Sequence, residues 1–337
     1  MRKLLLGTTA IAAAATLSTN VALADVSISG AMEFTYKSQD SGNAATGASQ
    51  DSFVTDNDVA ISFTNKTDSG LEIFMVSKIE QISGIASDEA YMGIKGGFGT
   101  LTLGQDDGAG DQLTRTAHDL VGPDALNDGG GGVLGAQSGN GNLSDDNADL
   151  IDDVNDENAI TYILPTMGGL TIGATYKDAG SDASSNADET VVAAKYAFES
   201  GAVKGSIHYG NNNIGGATAG AASTNSDSMA IDVSTGPIRA VIAKAEDEVS
   251  STVTTEVTDY GIQYNVGNGL TLAVVGTQVE ENTGGETSDI TTVSAKYNIA
   301  SGLDAYVTYH DYDYKAGSSG ETSDDGSWTQ LTLKATF

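Results

Sequence analysis

The chain has no cysteine, which excludes disulfide bonds and every metal site that is built on thiolates. Proline is nearly absent, with three residues in 337, whereas glycine occurs 42 times. Basic residues are also scarce, because there are only 15 lysines and arginines for 46 aspartates and glutamates, and the formal net charge is −31. A protein of this charge repels polyanions, so we expect no nucleic acid among its partners.

Long apolar runs are missing as well, except at the start of the chain. Residues 1–24, "MRKLLLGTTAIAAAATLSTNVALA", combine two early bases, an apolar stretch and the tripeptide Ala22-Leu23-Ala24. This order is typical of a secretory signal peptide, so we predict cleavage after Ala24 and a mature chain of residues 25–337. The alternative is an uncleaved anchor helix, which the polar residues within the run disfavour. No later run is long enough for a membrane helix, which leaves an exported β-protein, either soluble or inserted as a barrel.

The sequence contains many segments in which apolar and polar residues alternate with a period of two. In "VSISGAMEFTYK", Val26, Ile28, Met32 and Phe34 share one face, and polar side chains occupy most of the other. The last eleven residues, "SWTQLTLKATF", alternate in the same way and end on Phe337. Such alternation is typical of strands that are apolar on one face only. We count sixteen of these segments along the chain.

The connections between these segments alternate between short turns and long loops. Seven connections are tight, and most of them contain glycine, which suits a hairpin. Eight connections are longer, polar and acidic, namely 38–52, 81–88, 105–157, 178–189, 210–226, 245–255, 280–289 and 311–326. A soluble sandwich has no reason to sort its loops in this way, whereas an outer-membrane barrel has short periplasmic turns and longer outer loops. The pattern therefore predicts an all-β fold, a 16-stranded antiparallel transmembrane β-barrel with both termini on the short-turn side.

Several segments together resemble a known family. They are "ADVSISGAMEFTY", "TNKTDSGLEIFM", "YMGIKGGFGTLTLGQDDGA", "NAITYILPTMGGLTIGATY" and the C-terminal Phe337. In their order and spacing they are similar to the general porins of Gram-negative bacteria, in particular the alphaproteobacterial, Rhodobacter-like type. The resemblance covers essentially all of residues 25–337.

This resemblance implies a homotrimer in the outer membrane of a Gram-negative bacterium, in contact with membrane lipid and lipopolysaccharide. It implies no enzymatic activity and no required cofactor, but a water-filled channel for the passive diffusion of ions and small hydrophilic solutes. It also implies that Phe337 is the assembly signal recognised by the barrel-assembly machinery. From the acidic composition we expect the channel to prefer cations.

The third long connection, residues 105–157, is unusually long, and loops of this length are commonly functional. In porins this loop folds into the barrel and narrows it, so we expect an inward-folded constriction loop here. The candidates on the loop are Asp106, Asp107, Asp111, Arg115 and Asp119, with His118 between the last two. The candidates on the wall opposite are Glu33, Lys37 and Lys78. The alternative is an acidic loop exposed on the outer surface.

The second half of the same loop, "LSDDNADLIDDVNDEN", is dense in carboxylates. Hard oxygen donors at this density suit Ca²⁺, although the spacing is not that of an EF-hand. The candidate calcium ligands are Asp145, Asp146, Asp149, Asp152, Asp153 and Asp156. A diffuse cloud of cations is the alternative.

Two other classes of function stay open at this point. One is a secreted, calcium-dependent β-rich adhesin, which would require internal repeats that the sequence does not show. The other is an outer-membrane barrel hydrolase, which would require a nucleophile and a base. His208 and His310 alternate onto the polar face, but no partner at a supporting spacing accompanies them.

Overall fold

The computed structural model describes residues 25–41, 50–80, 86–122, 158–178, 188–215, 223–250, 253–317 and 323–337. Sixteen strands pair in chain order, each antiparallel to the next, and the last strand pairs with the first to close a barrel. The strands are β1 Asp25–Ser41, β2 Gln50–Lys66, β3 Glu72–Glu80, β4 Ala86–Gly96, β5 Gly99–Gln105, β6 Asn158–Ile163, β7 Leu170–Lys177, β8 Glu189–Ser200, β9 Val203–Ile214, β10 Thr224–Thr235, β11 Ile238–Ser250, β12 Val253–Gly267, β13 Leu270–Glu281, β14 Thr287–Ala300, β15 Leu303–Lys315 and β16 Asp324–Thr336. The predicted fold class is confirmed.

The two-residue alternation sorts side chains between the outside and the inside of the barrel. On β1, for example, Phe34 is 45% exposed, whereas the neighbouring Glu33 is only 8% exposed. Apolar side chains point outward on every side of the barrel, including Met92, Ile160, Ile242, Val274 and Leu333. An outer surface of this kind suits lipid, and closure satisfies the backbone hydrogen bonds that an open sheet would leave at its edges.

The strands extend farther than the alternating apolar pattern indicates. The predicted loop 245–255 is almost entirely strand, because β11 continues to Ser250 and β12 starts at Val253. Likewise, β1 and β2 remain paired up to Gln39 and Gln50, inside the predicted loop 38–52. The physical reason is that backbone pairing does not need an apolar face. The apolar pattern marks only the part of a strand that meets lipid, so it misses the polar continuation beyond it.

Two short helices follow β5 in the third loop. The first is α1, Ala109–Leu113, and the second is a 3₁₀ helix, His118–Leu120. Among the described residues, no helix has the length and apolar character needed to cross a membrane. Both helices lie against the inner face of the barrel, and they position the candidate site.

Candidate pore constriction

The start of the third loop is attached to the inner wall through α1. The backbone N–H of Ala109 donates to Thr175 Oγ1 on β7 at 2.8 Å. At the other end of α1, the carbonyl oxygen of Leu113 lies 2.6 Å from Nδ1 of His208 on β9. His208 is buried, and Ser206 Oγ lies 2.7 Å from its Nε2. A carbonyl can only accept, so Nδ1 of His208 carries the proton and Nε2 accepts from Ser206.

The end of the described part of the loop is attached to strands farther round the barrel. Gln263 Nε2 on β12 donates to the carbonyl oxygen of Leu120 at 2.8 Å, and Ser294 Oγ on β14 donates to that of Val121 at 2.6 Å. Small apolar side chains complete the contact, since Ala117 and Leu120 pack on Val241, Ala273 and Val275. Residues 106–122 therefore follow the inner wall from β7 to β14, which confirms the inward fold for the described part of the third loop.

Gly122 brings the loop backbone against a ring of the wall. Its φ is +112°, a conformation that favours glycine. A β-carbon at this position would lie 2.6 Å from the ring of Tyr306 on β15. The loop can approach β15 this closely because Gly122 has no side chain.

Charged groups cluster where the loop leaves β5. Lys78 on β3 forms an ion pair and hydrogen bond with Glu89 on β4. Asp106 accepts a hydrogen bond from Tyr91 and lies near Asp107 and Lys78. Asp106 lies beyond the end of β5, and burial, together with the repulsion of Asp107, raises its pKa to about 6. The structure therefore places Lys78, Asp106 and Asp107 in one cluster, and Asp106 changes charge near neutral pH.

The other two wall candidates lie on β1. Glu33 forms an ion pair with Lys334 on β16, its direct neighbour in the strand register. Lys37 lies over the ring of Trp328, with 5.7 Å between its Nζ and the ring centroid. Trp328 in turn stacks on His310 at a centroid distance of 4.2 Å. Glu33 and Lys37 thus lie on the β16–β1 wall, where Glu33 contacts Lys334 and Lys37 contacts Trp328, both on β16.

The remaining loop candidates lie nearer the opposite wall. Asp111 is exposed on α1. Arg115 Nη1 forms an ion pair with Asp119 Oδ2 at 2.9 Å, and its Nε lies 3.8 Å from Asp232 on β10. Asp232 also binds Arg239 on β11. Sequence reasoning missed Glu89, Asp232 and Arg239, because their significance depends on which strands are neighbours, and no local motif records that.

His118 takes part in a hydrogen-bonded chain. Thr277 Oγ1 on β13 donates to Asp259 Oδ1 on β12 at 2.7 Å, and His118 Nε2 lies 2.7 Å from the same Thr277 oxygen. Since Thr277 gives its proton to Asp259, His118 is the donor to Thr277. In this arrangement His118 is not a base that could activate Thr277 as a nucleophile.

The candidate calcium ligands, Asp145, Asp146, Asp149, Asp152, Asp153 and Asp156, lie outside the described residues. Within the described ranges, the acidic and histidine side chains form no group of three or more that could hold a metal ion.

Comparison with solved structures gives several matches over almost the whole chain. The anion-selective porin from Comamonas acidovorans matches with a TM-score of 0.65 at 16% identity, over 94% of this chain and 100% of that chain. A mutant of the Rh. blastica porin matches with a TM-score of 0.66 at 13% identity, over 93% and 100%. The trimer form of OmpT from Vibrio cholerae matches with a TM-score of 0.65 at 14% identity, over 93% and 99%. At these identities, the matches show that the fold is shared.

No curated protein sequence matches the chain. The family described as Gram-negative porin, however, matches residues 7–317. This match covers most of the chain, including fifteen of the sixteen strands and the third loop with its anchors. The chain therefore belongs to the Gram-negative porin family, whose members form channels in the bacterial outer membrane.

Proposed function

We propose that the barrel is a water-filled channel for the passive diffusion of ions and small hydrophilic solutes, and that it prefers cations. A sixteen-stranded barrel is wide enough for an aqueous channel. The third loop occupies part of this cross-section, because residues 106–122 are hydrogen-bonded to the inner wall. In this proposal the constriction lies between the loop residues Asp106, Asp107, Asp111, Arg115 and Asp119 and the wall residues Glu33, Lys37 and Lys78.

The observation that carries the cation preference is the pairing of the inward-facing bases. Most of them form ion pairs with carboxylates, namely Lys78 with Glu89, Lys177 with Glu189, Arg239 with Asp232, Lys296 with Asp304, and Lys334 with Glu33. Meanwhile the loop carries three carboxylates, Asp106, Asp107 and Asp111, before its first base, Arg115. Rings of acidic side chains favour cations. The excess of acids over bases in the chain acts in the same direction.

The fold that this chain shares with an anion-selective porin does not determine ion preference. Preference depends on the charges that line the pore, and a likeness at 16% identity shows the fold and not those charges. Ion selectivity is therefore assigned from the side chains of this chain.

The test is electrical recording in a planar lipid bilayer. We expect stepwise openings and, across a salt gradient, a reversal potential of the sign that cation preference gives. Charges are screened over roughly 10 Å at 0.1 M salt and roughly 3 Å at 1 M, so the preference should weaken as salt is raised. A bilayer that stays silent would contradict the channel, and a clear anion preference at low salt would contradict the proposed selectivity.

We also propose the assembly that the family resemblance implies. Residues 1–24 act as a cleaved signal peptide, Phe337 is recognised by the barrel-assembly machinery, and the mature chain forms a homotrimer in contact with lipopolysaccharide. One of the similar structures is a trimer form, which supports the homotrimer. Chemical crosslinking of the purified protein should trap a trimer, and a sample without crosslinker should convert from trimer to monomers on heating. A monomer at all crosslinker concentrations would contradict it.

Calcium binding at Asp145, Asp146, Asp149, Asp152, Asp153 and Asp156 remains part of the proposal. It is supported by the density of carboxylates in this stretch of sequence. The channel itself requires no cofactor in this proposal.

A further inference from the structure

Two arginines from distant parts of the chain converge on one carboxylate, that of Asp232 on β10. Arg239 on β11 donates its Nε to Asp232 Oδ1 at 3.1 Å and its Nη2 to Oδ2 at 2.7 Å. Arg115 approaches from the loop, with its Nε 3.8 Å from the same Oδ2. The side chain of Asp232 is only 13% exposed. One partly desolvated carboxylate is therefore shared between the wall and the loop.

The two arginines are held in different ways. Arg239 makes a bidentate hydrogen-bonded pair, which fixes both position and orientation. The 3.8 Å separation of Arg115 is too long for a hydrogen bond, so its attraction to Asp232 is electrostatic. Arg115 Nε is buried and has no hydrogen-bond partner among the described residues. Arg115 is therefore the partner that is more easily released.

The net charge of this group is set by its two carboxylates, Asp232 and Asp119. A guanidinium does not lose its proton in a protein, so Arg115 and Arg239 stay positive at any working pH. With Asp232 and Asp119 present, two positive and two negative charges cancel. Without the charge on Asp232, the group carries one net positive charge, and among the described residues Arg115 keeps its ion pair with Asp119 at 2.9 Å.

We infer that Asp232 is a specificity-determining residue of the channel, because it holds Arg115 against the β10–β11 wall and neutralises Arg239. This inference rests on the proposed function and extends it to a residue that no sequence motif indicates. Asp232 keeps two guanidiniums from acting on passing ions, and the carboxylates of the loop then set the preference for cations. Asp232 acts by positioning Arg115, and this role does not require contact with the ion.

The test is the reversal potential of Asp232→Asn in a planar bilayer with a salt gradient near 0.1 M. The amide is nearly isosteric with the carboxylate, so the barrel should assemble. A unit charge changes the local concentration of an ion about 10 Å away in water by about twofold, in opposite directions for cations and anions. Because salt screens part of this effect, we expect the cation-to-anion permeability ratio to fall by about twofold to fourfold.

The matched control is Asp304→Asn on β15. Asp304 forms an ion pair with Lys296 at 3.0 Å, accepts a hydrogen bond from Asn298 at 2.8 Å and is the register neighbour of Lys334, so this substitution removes the same charge from beside two bases of the wall. Asp304→Asn should lower the cation-to-anion permeability ratio by at most half as much as Asp232→Asn does, because it releases no loop residue. Equal effects of the two substitutions would mean that only the net charge of the lumen matters, and would overturn the inference.

A double-mutant cycle isolates the role of Arg115. Adding Arg115→Gln to Asp232→Asn should restore most of the wild-type cation-to-anion permeability ratio. The variant Asp232→Glu keeps the charge and should therefore retain the wild-type ratio. Strictly additive effects of the two substitutions would overturn the inference.

If Asp232→Asn does not assemble, Arg239→Gln tests the same group through its other arginine. Arg239→Gln leaves Arg115 as the only arginine at Asp232 and should raise the cation-to-anion permeability ratio. An unchanged permeability ratio would overturn the inference.

The wild-type recording separates the two levels of the proposal. A wild-type protein that opens no channels, or prefers anions, contradicts the proposed function. A cation-preferring wild type in which Asp232→Asn has no larger effect than Asp304→Asn contradicts only the role of Asp232.

Discussion

Phe337 and Gly30 exchange two backbone hydrogen bonds, with 2.9 Å from Phe337 N to Gly30 O and 3.3 Å from Gly30 N to Phe337 O. The last residue of the chain is thus part of the ladder that joins β16 to β1 and closes the barrel. Phe337 is 84% exposed, and its side chain continues the outward face of Leu331 and Leu333. Closure leaves its side chain free for recognition from outside.

Deleting Phe337 should lower the amount of assembled barrel in the outer membrane. The deletion removes the last pair of the closing ladder together with the exposed ring that we propose as the assembly signal. The measurement is the fraction of heat-modifiable protein in outer-membrane extracts. Phe337→Tyr keeps both the ladder and an aromatic ring, so it is the control and should assemble normally. Normal assembly of the deletion variant would contradict the proposed signal.

Gly122→Ala should lower single-channel conductance. The new β-carbon would meet the ring of Tyr306 and push the end of the described loop segment away from the wall, into the lumen. An alanine at a φ of +112° also costs about 1–3 kcal/mol of backbone strain. The control is Gly236→Ala, at a φ of +54° in the turn between β10 and β11, where a β-carbon would meet nothing within 4 Å. Equal conductance changes in both variants would show that strain alone is responsible.

Cation preference should rise with pH between about pH 5 and pH 7. The pKa of Asp106 is raised to about 6 by burial and by Asp107, so below this pH the group is protonated and its negative charge is lost. We expect the permeability ratio to change by about twofold to fourfold, as for a unit charge about 10 Å from the ion path. The measurement is the reversal potential as a function of pH at low salt.

Two substitutions identify the group that titrates. Asp106→Asn should reduce the pH step, because it removes a titrating carboxyl of the cluster. Asp107→Asn should move the step to lower pH, because it removes a repulsion that raises the pKa of Asp106. A step that persists unchanged in Asp106→Asn would assign the titration to another group.

Removing calcium should lower the thermal stability of the trimer if the acids of the third loop form a defined site. A ligand at a hundredfold excess over its dissociation constant stabilises the folded state by about 2.7 kcal/mol. The measurement is the melting temperature with a chelator, with Ca²⁺ and with Mg²⁺, which demands a smaller octahedral site. The double variant Asp152→Asn, Asp153→Asn should lose the response to Ca²⁺. Equal stabilisation by both cations would indicate a diffuse cloud.

The sequence by itself predicted the number of strands, their inward and outward faces and the closure of β16 on β1. These features are local, because alternation along a strand reports directly which side meets lipid, as Phe34 and Glu33 show. The inward course of the third loop was predicted from family resemblance, and the structure confirms it for residues 106–122 through Thr175, His208, Gln263 and Ser294. The polar ends of the strands were missed, because backbone pairing there has no apolar signature.

Only the tertiary structure decided which charges neutralise each other. Lys78 pairs with Glu89 across a register shift between β3 and β4, and no sequence spacing indicates that shift. Arg115 and Asp232 are 117 positions apart and meet only because the loop is anchored along the wall. Electrostatic attraction depends on distance in space, whereas a sequence orders charges along the chain. The composition therefore indicates an acidic protein, and the fold determines which of its charges remain to act on an ion.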